Sequence, residues 1–140
     1  MSAVTQPQPV PGAPPAAVLF IDDHPEGKGL YREYLEFCGF RVTIATGLNL
    51  ADGAVACPDV IVIDLAMPRT DAIATIRQLK AHPASARIPV VALAGVSDEP
   101  TTALARAAGA DVCLVKPCVP SQVGRAIQTL LVWQRSRPSV

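Results

Sequence analysis

The sequence predicts an α/β protein, a doubly wound sheet of five parallel strands flanked by five helices. Short apolar runs alternate five times with segments of helical periodicity, which is the order expected for a parallel sheet with helices on both faces. Several of the runs are continuously apolar, which is typical of strands buried on both sides. Right-handed crossovers leave few arrangements for such a chain. With 50% hydrophobic and 17% charged residues, the chain can bury a substantial core.

The first predicted strand covers Val18–Ile21 and stops abruptly at Asp22 and Asp23. Pro25 suits the first turn of the helix that follows, because proline has no N–H to lose there. Apolar and aromatic residues then recur at helical spacing as far as Gly39, which is placed to end this first helix. The segment therefore predicts a strand, an acidic turn and a helix.

The next two strands are separated by a weaker helix. Arg41–Ala45 is the second predicted strand, and the weak helix over Asn49–Val55 ends before Pro58. Val60–Ile63 is the clearest strand of the chain, and it too stops at an acid, Asp64.

The second half of the chain continues the alternation and finishes on a helix. Its predicted elements, in order, are helix Asp71–Lys80, strand Pro89–Leu93, helix Glu99–Ala108 ending at Gly109, strand Val112–Val115, and helix Ser121–Trp133. We expect Leu130, Leu131 and Trp133 to close the end of the last helix against the core, whereas an exposed tryptophan there would mark a partner surface.

Length and composition limit the domain organisation and the function classes. The 140 residues suffice for one domain, predicted over 17–134, with a disordered proline-rich tail over 1–16 and a short polar tail over 135–140. The formal net charge of zero argues against a nucleic-acid binder with a basic face. No apolar run is long enough for a membrane span, and the start is not a secretory signal, so we expect a cytoplasmic protein.

The four cysteines do not predict a metal site or a redox pair. None forms a CxxC pair, and no histidine completes a zinc pattern. We interpret them as ordinary thiols, mostly buried. Cys113 is interpreted as packing on its strand, with a redox sensor as the alternative.

Charged residues follow three of the predicted strands. Asp22 and Asp23 follow the first, Asp64 the third and Lys116 the fifth, and ligands of open α/β sheets bind at the carboxyl ends of the strands. Three carboxylates in one cleft repel one another, and Mg²⁺, which prefers oxygen ligands, relieves that repulsion. The ammonium of Lys116 adds a point charge that can hold a phosphate oxygen. The formal charges of the three carboxylates, one Mg²⁺ ion and this ammonium sum to zero.

Three segments carry a family resemblance: VLFIDD over Val18–Asp23, DVIVIDLAMP over Asp59–Pro68 and GADVCLVKP over Gly109–Pro117. Together they resemble the receiver domain of two-component response regulators, over about residues 17–134. The spacing from Asp64 to Ala94 and on to Lys116 is also similar. The resemblance implies a flavodoxin-like fold with strand order 2-1-3-4-5.

The resemblance also implies roles for the site residues. Asp64 would be the phosphoacceptor for a histidine kinase or phosphotransfer protein. Asp22, Asp23, Asp64 and the backbone carbonyl of Ala66 would hold Mg²⁺, and Lys116 would contact the phosphoryl group. Such a domain is a signalling module of a phosphorelay and not an enzyme. It would act on an unknown downstream protein without binding nucleic acid or membrane directly.

Two positions depart from the family pattern. Similar proteins carry Thr or Ser where this chain has Ala94, and usually Tyr or Phe where it has Cys113. Both members of the pair that couples phosphorylation to a shape change are therefore replaced. A phosphorylatable receiver and a degenerate receiver that binds partners regardless of phosphate both remain open, and the chain is either a stand-alone receiver or part of a longer protein.

A phosphatase of the haloacid-dehalogenase type is the third alternative. That class also uses an aspartate nucleophile after a strand, but it needs acids two positions apart in the first strand loop. Here Asp22 and Asp23 are adjacent, and His24 stands where a second acid would be needed.

Overall fold

The computed structural model describes residues 15–22, 29–45, 58–66, 71–95, 99–116 and 118–136. Its five strands form one parallel sheet in the order β2-β1-β3-β4-β5, which confirms the predicted fold class. The described strands are β1 (Ala17–Ile21), β2 (Arg41–Ala45), β3 (Val60–Asp64), β4 (Val90–Ala94) and β5 (Val112–Val115). The described helices are α1 (Gly29–Phe37), α2 (Ala72–Ala81), α3 (Glu99–Ala108) and α4 (Pro120–Ser136).

Four helices, not five, lie in these ranges, because the predicted helix over Asn49–Val55 falls outside the described residues. Asp71 caps α2, its carboxylate accepting the N–H of Ala74 at 3.0 Å. Helix α4 is longer than predicted. It starts at Pro120, where proline is well tolerated, and runs to Ser136, close to Pro138. No described helix combines the length and apolar character needed to cross a membrane.

The core consists of two clusters, one on each face of the sheet. The α1/α4 cluster contains Phe20 and Val62 from the strands, with Leu35 of α1 and Ile127 of α4. The α2/α3 cluster lies on the opposite face and contains alternate residues of the same strands with Ile76 of α2. Every residue of β3 and β4 is buried. Burial on both faces explains why these strands are continuously apolar in sequence.

The end of α4 corrects one expectation. Leu130 and Leu131 are buried as predicted, but Trp133 is 46% exposed, so the prediction that it packs against the core was wrong. In an α-helix, successive residues are separated by about 100° around the axis. Trp133 therefore lies about 160° from Leu131 and about 60° from Leu130, at the flank of the buried stripe, where about half of its surface stays exposed.

Candidate functional site

Three of the predicted site residues lie on the same face of the sheet. Asp22, Asp64 and Lys116 each come two positions after a residue of the α1/α4 cluster, and strand side chains alternate with a period of two. Ile21 pairs with Ile63 in the parallel register. The next residues, Asp22 and Asp64, therefore lie side by side at the ends of neighbouring strands. The acids therefore meet at the carboxyl edge of the sheet, where the sequence predicted them.

The carboxylate of Asp64 is held at both oxygens. It is 2% exposed, Lys116 Nζ lies 2.5 Å from its Oδ2, and the backbone N–H of Ala66 donates to its Oδ1 at 2.9 Å. Lys116 is itself fixed, because its backbone N–H donates to the carbonyl of Ala94 at 2.8 Å. The lysine side chain remains 30% exposed, so the ion pair is buried mainly on the side of the acid.

Asp22 adds a second buried carboxylate beside this ion pair. Its side chain is 1% exposed, and its backbone N–H donates to the carbonyl of Ala45 at 2.9 Å. Two buried carboxylates thus lie at the ends of neighbouring strands, and burial makes negative charge costly. A hard divalent cation with oxygen ligands fits this donor set.

The rest of the predicted metal site is only partly described. Asp23 falls outside the described residues, and among those described no three His, Cys, Asp or Glu side chains lie together. Ala66 is exposed, and its backbone N–H donates to the Asp64 carboxylate. That its carbonyl is a Mg²⁺ ligand stays a prediction.

The two departures from the family pattern lie near this edge. Ala94 ends β4 and is fully buried, and its methyl group offers no hydrogen-bond donor. Cys113 pairs with Ala92 in the register and packs partly buried against the α2/α3 cluster, as a packing residue does. Its thiol is free, as are those of Cys38 and Cys118, while Cys57 lies outside the described residues.

Sequence reasoning missed a contact of Tyr31. Its hydroxyl donates to the backbone carbonyl of Cys118 at 2.8 Å, and its ring lies 5.6 Å from that of Phe20 between centroids. Burial, supplemented by Cys118 and by the negative charge of Asp64, raises the pKa of Tyr31 to about 12. The sequence shows Tyr31 only as part of a helical pattern, because its partner lies 87 positions along the chain.

The fold and site define a doubly wound α/β protein with acids and a lysine at the edge where this class binds ligands. The family model of the response regulator receiver domain matches residues 18–128, most of the chain, including Asp22, Asp64 and Lys116. The chain belongs to the response regulator receiver domain family.

Curated relatives agree with this assignment. The transcriptional regulatory protein ResD of Bacillus subtilis is 32% identical over 116 residues, covering 81% of this chain and 47% of ResD. An uncharacterised 14.6 kDa protein of Leptolyngbya boryana is 30% identical, covering 79% of this chain and 86% of that protein. The chain spans about half the length of ResD and of the Escherichia coli regulator KdpE, 47% and 44% respectively.

Solved structures share the fold. The receiver domain of a histidine kinase from Syntrophus aciditrophicus has a TM-score of 0.77 at 27% identity, covering 89% of this chain and 96% of its own. CheY4 of Vibrio cholerae has a TM-score of 0.74 at 25% identity, covering 83% and 98%. The receiver domain of Pseudomonas aeruginosa PA1611, at 23% identity and TM-score 0.75, covers 84% and 98% and holds a magnesium ion in its active-site cleft.

Proposed function

We propose that this receiver accepts a phosphoryl group on Asp64 from a histidine kinase or phosphotransfer protein and signals through contacts with another protein. The observation that carries the proposal is the state of the Asp64 carboxylate. It is buried, oriented by the N–H of Ala66, and contacted by the ammonium of Lys116. A carboxylate held in this way is a pre-aligned nucleophile.

The transfer follows from that alignment. A carboxylate oxygen of Asp64 forms a bond to phosphorus while the bond between phosphorus and the donor imidazole nitrogen breaks, and the electron pair leaves with the imidazole. The ammonium of Lys116 can move from Oδ2 to an oxygen of the arriving phosphoryl group. Phosphoryl transfer depends mainly on positioning and charge neutralisation, and these two residues provide both.

Magnesium belongs to the same proposal. Asp22, Asp23, Asp64 and the carbonyl of Ala66 would hold it. When bound, the ion neutralises part of the negative charge of the acids and of the phosphoryl group. Support comes from the buried carboxylates of Asp22 and Asp64 and from the same fold holding magnesium in the PA1611 receiver.

The further assignments follow from this role. We propose a cytoplasmic signalling module of a phosphorelay rather than an enzyme, with no direct contact to nucleic acid or membrane. Its downstream target is a protein recognised through the receiver surface. Relatives such as ResD are transcriptional regulators about twice as long, and that activity belongs to those whole proteins.

A degenerate receiver is the second candidate, and Ala94 supports it. The position is fully buried and carries only a methyl group, whereas similar proteins place a hydroxyl there. Such a module would keep the fold and its contacts but would not respond to phosphate.

Labelling with acetyl phosphate and Mg²⁺ tests the phosphoacceptor. We expect the wild type to gain one acid-labile, hydroxylamine-sensitive phosphoryl group, and Asp64→Asn to gain none. Asp59→Asn is the matched control, because Asp59 bonds the backbone N–H of Ala17 at the opposite edge of the sheet. Labelling that persists in Asp64→Asn places the nucleophile elsewhere. A wild type that stays unlabelled supports the degenerate module.

A further inference from the structure

Tyr31 connects α1 to the segment that follows β5. Its hydroxyl donates to the carbonyl of Cys118 at 2.8 Å and lies 3.7 Å from the Cys118 thiol. Cys118 is 7% exposed and belongs to the α1/α4 cluster, against which Tyr31 also packs. The bond is therefore partly buried, and a hydrogen bond that is partly shielded from water is stronger than one at the surface.

The carbonyl that Tyr31 holds lies close in sequence to Lys116. Cys118 comes two positions after Lys116, whose backbone N–H is bonded to the carbonyl of Ala94. The backbone of Lys116 is thus bonded to β4, and that of Cys118 to Tyr31. The phenol also lies close enough to Asp64 for the carboxylate charge to act on it.

We propose that Tyr31 is a positioning residue whose hydroxyl, by holding the carbonyl of Cys118, keeps the ammonium of Lys116 against Asp64. This inference rests on the proposed function of Asp64 as phosphoacceptor. It assigns to α1 a role in the geometry of the site that the strand-end residues alone do not reveal.

The chain provides a matched pair of variants. Tyr31→Phe removes the hydroxyl and retains the ring that packs on Phe20. Tyr34→Phe removes the other hydroxyl of α1, which interacts with the Cys38 side chain. Since both changes delete one oxygen from the same helix, an effect specific to Tyr31→Phe is not a general effect on α1.

The first test is a double-mutant cycle on the rate of phosphorylation by acetyl phosphate with saturating Mg²⁺. We expect Tyr31→Phe to slow phosphorylation about fivefold, the change in rate that corresponds to the net free energy of one typical hydrogen bond. Tyr34→Phe should leave the rate unchanged. In a Lys116→Ala background, Tyr31→Phe should have no further effect, because it acts through that lysine. An equal slowing in both backgrounds, or none in either, overturns the proposal.

The second test does not need a phosphodonor, so it separates failure of this inference from failure of the proposed function. Amide hydrogen exchange measures how often the bond from the Lys116 N–H to Ala94 opens. We expect the Lys116 amide to exchange about fivefold faster in Tyr31→Phe than in the wild type. The amides of β3 in that variant, and the Lys116 amide in Tyr34→Phe, should exchange at the wild-type rate. Unaltered exchange at Lys116 overturns the proposal, even if the wild type cannot be phosphorylated.

Discussion

Asp64 and Lys116 form a pair in which only one partner is buried. The carboxylate is 2% exposed and the lysine side chain 30%, so most of the desolvation falls on the acid. Asp22, at the neighbouring strand end, is buried as well. Removing the partner of a buried charge costs several kcal/mol, so the contact with Lys116 matters more to Asp64 than to the partly exposed lysine. This burial of two carboxylates supports the proposed magnesium site.

The first prediction at this scale concerns Mg²⁺. We expect Asp22→Asn and Asp23→Ala each to weaken Mg²⁺ binding at least about tenfold, because each removes a carboxylate from the proposed donor set. Isothermal calorimetry measures the affinity directly. Trp133 fluorescence is unsuitable, because Trp133 lies near the C-terminus of α4. The N-terminus of that helix, at Pro120, is the end closer in sequence to Lys116.

Glu36→Gln serves as the control, since Glu36 is exposed on α1 and is paired with Arg32 one helical turn earlier. Its Mg²⁺ affinity should equal that of the wild type. Unchanged binding in the Asp22→Asn protein contradicts the assignment of the metal site.

At the scale of elements, polar contacts fix the edge of the sheet opposite the site. Lys80, in the last turn of α2, donates to the carbonyl of Ile88 at 2.8 Å and lies 3.2 Å from Asp111. Asp111 also accepts the backbone N–H of Val90 at 2.8 Å. The end of α2 and the starts of β4 and β5 are thereby joined. Since this network lies away from the site, it can stabilise the fold without constraining the chemistry.

Gly109 lies against the side-chain stem of Lys80, one of the residues of this network. It ends α3 with a φ of 123°, and a Cβ there would lie 2.6 Å from Cγ of Lys80. We expect Gly109→Ala to lower the free energy of unfolding by about 1–3 kcal/mol, from backbone strain and from displacement of the lysine stem. Urea denaturation measures this difference.

Gly29→Ala is the contrasting substitution, because a Cβ at the start of α1 would meet no neighbour within 4 Å. It should leave stability unchanged or raise it by a few tenths of a kcal/mol, as expected for alanine in a helix. Equal losses in the two variants show that neither the φ of Gly109 nor its contact with Lys80 determines the effect.

The elements also show how far the sequence determines the structure. All five strands and the helix stop at Gly109 were predictable, because burial on both faces produces continuous apolar runs and helix ends favour glycine. Placement of Asp22, Asp64 and Lys116 at one edge followed from the order of strands and helices. The bond from Tyr31 to Cys118 was not predictable, since only tertiary packing brings those positions together, and the exposure of Trp133 depended on the rotation of α4.

At the scale of the whole molecule, the proposed function requires Asp64 to communicate with the face formed by α3, β5 and α4. The link visible in the structure is through the backbone: the carbonyl of Ala94 accepts the N–H of Lys116. At these two positions no side chain provides the link, because Ala94 has no hydroxyl and Cys113, in β5, has no ring. In the proposed function, phosphorylation would therefore influence this face without the hydroxyl and the ring that similar proteins carry at positions 94 and 113.

Our last prediction is that phosphorylation shifts this face only partly. Moving a population from 1:99 to 99:1 requires about 5.5 kcal/mol of differential stabilisation. A hydrogen bond to a charged group contributes about 1.5–3 kcal/mol, and the methyl group of Ala94 cannot provide it. With beryllofluoride and Mg²⁺ as a stable phosphoryl mimic, amide NMR shifts over α3, β5 and α4 should be small in the wild type. The shifts should be larger in Ala94→Thr, which restores a hydroxyl. Ala94→Ser restores the same hydroxyl without the extra methyl group at this buried position, and its shifts should be larger as well. Since a hydroxyl helps only when the phosphoryl group is present, the variants without the mimic should resemble the wild type. Large and equal shifts in all three proteins with the mimic would mean that the chain switches by another route, independent of position 94.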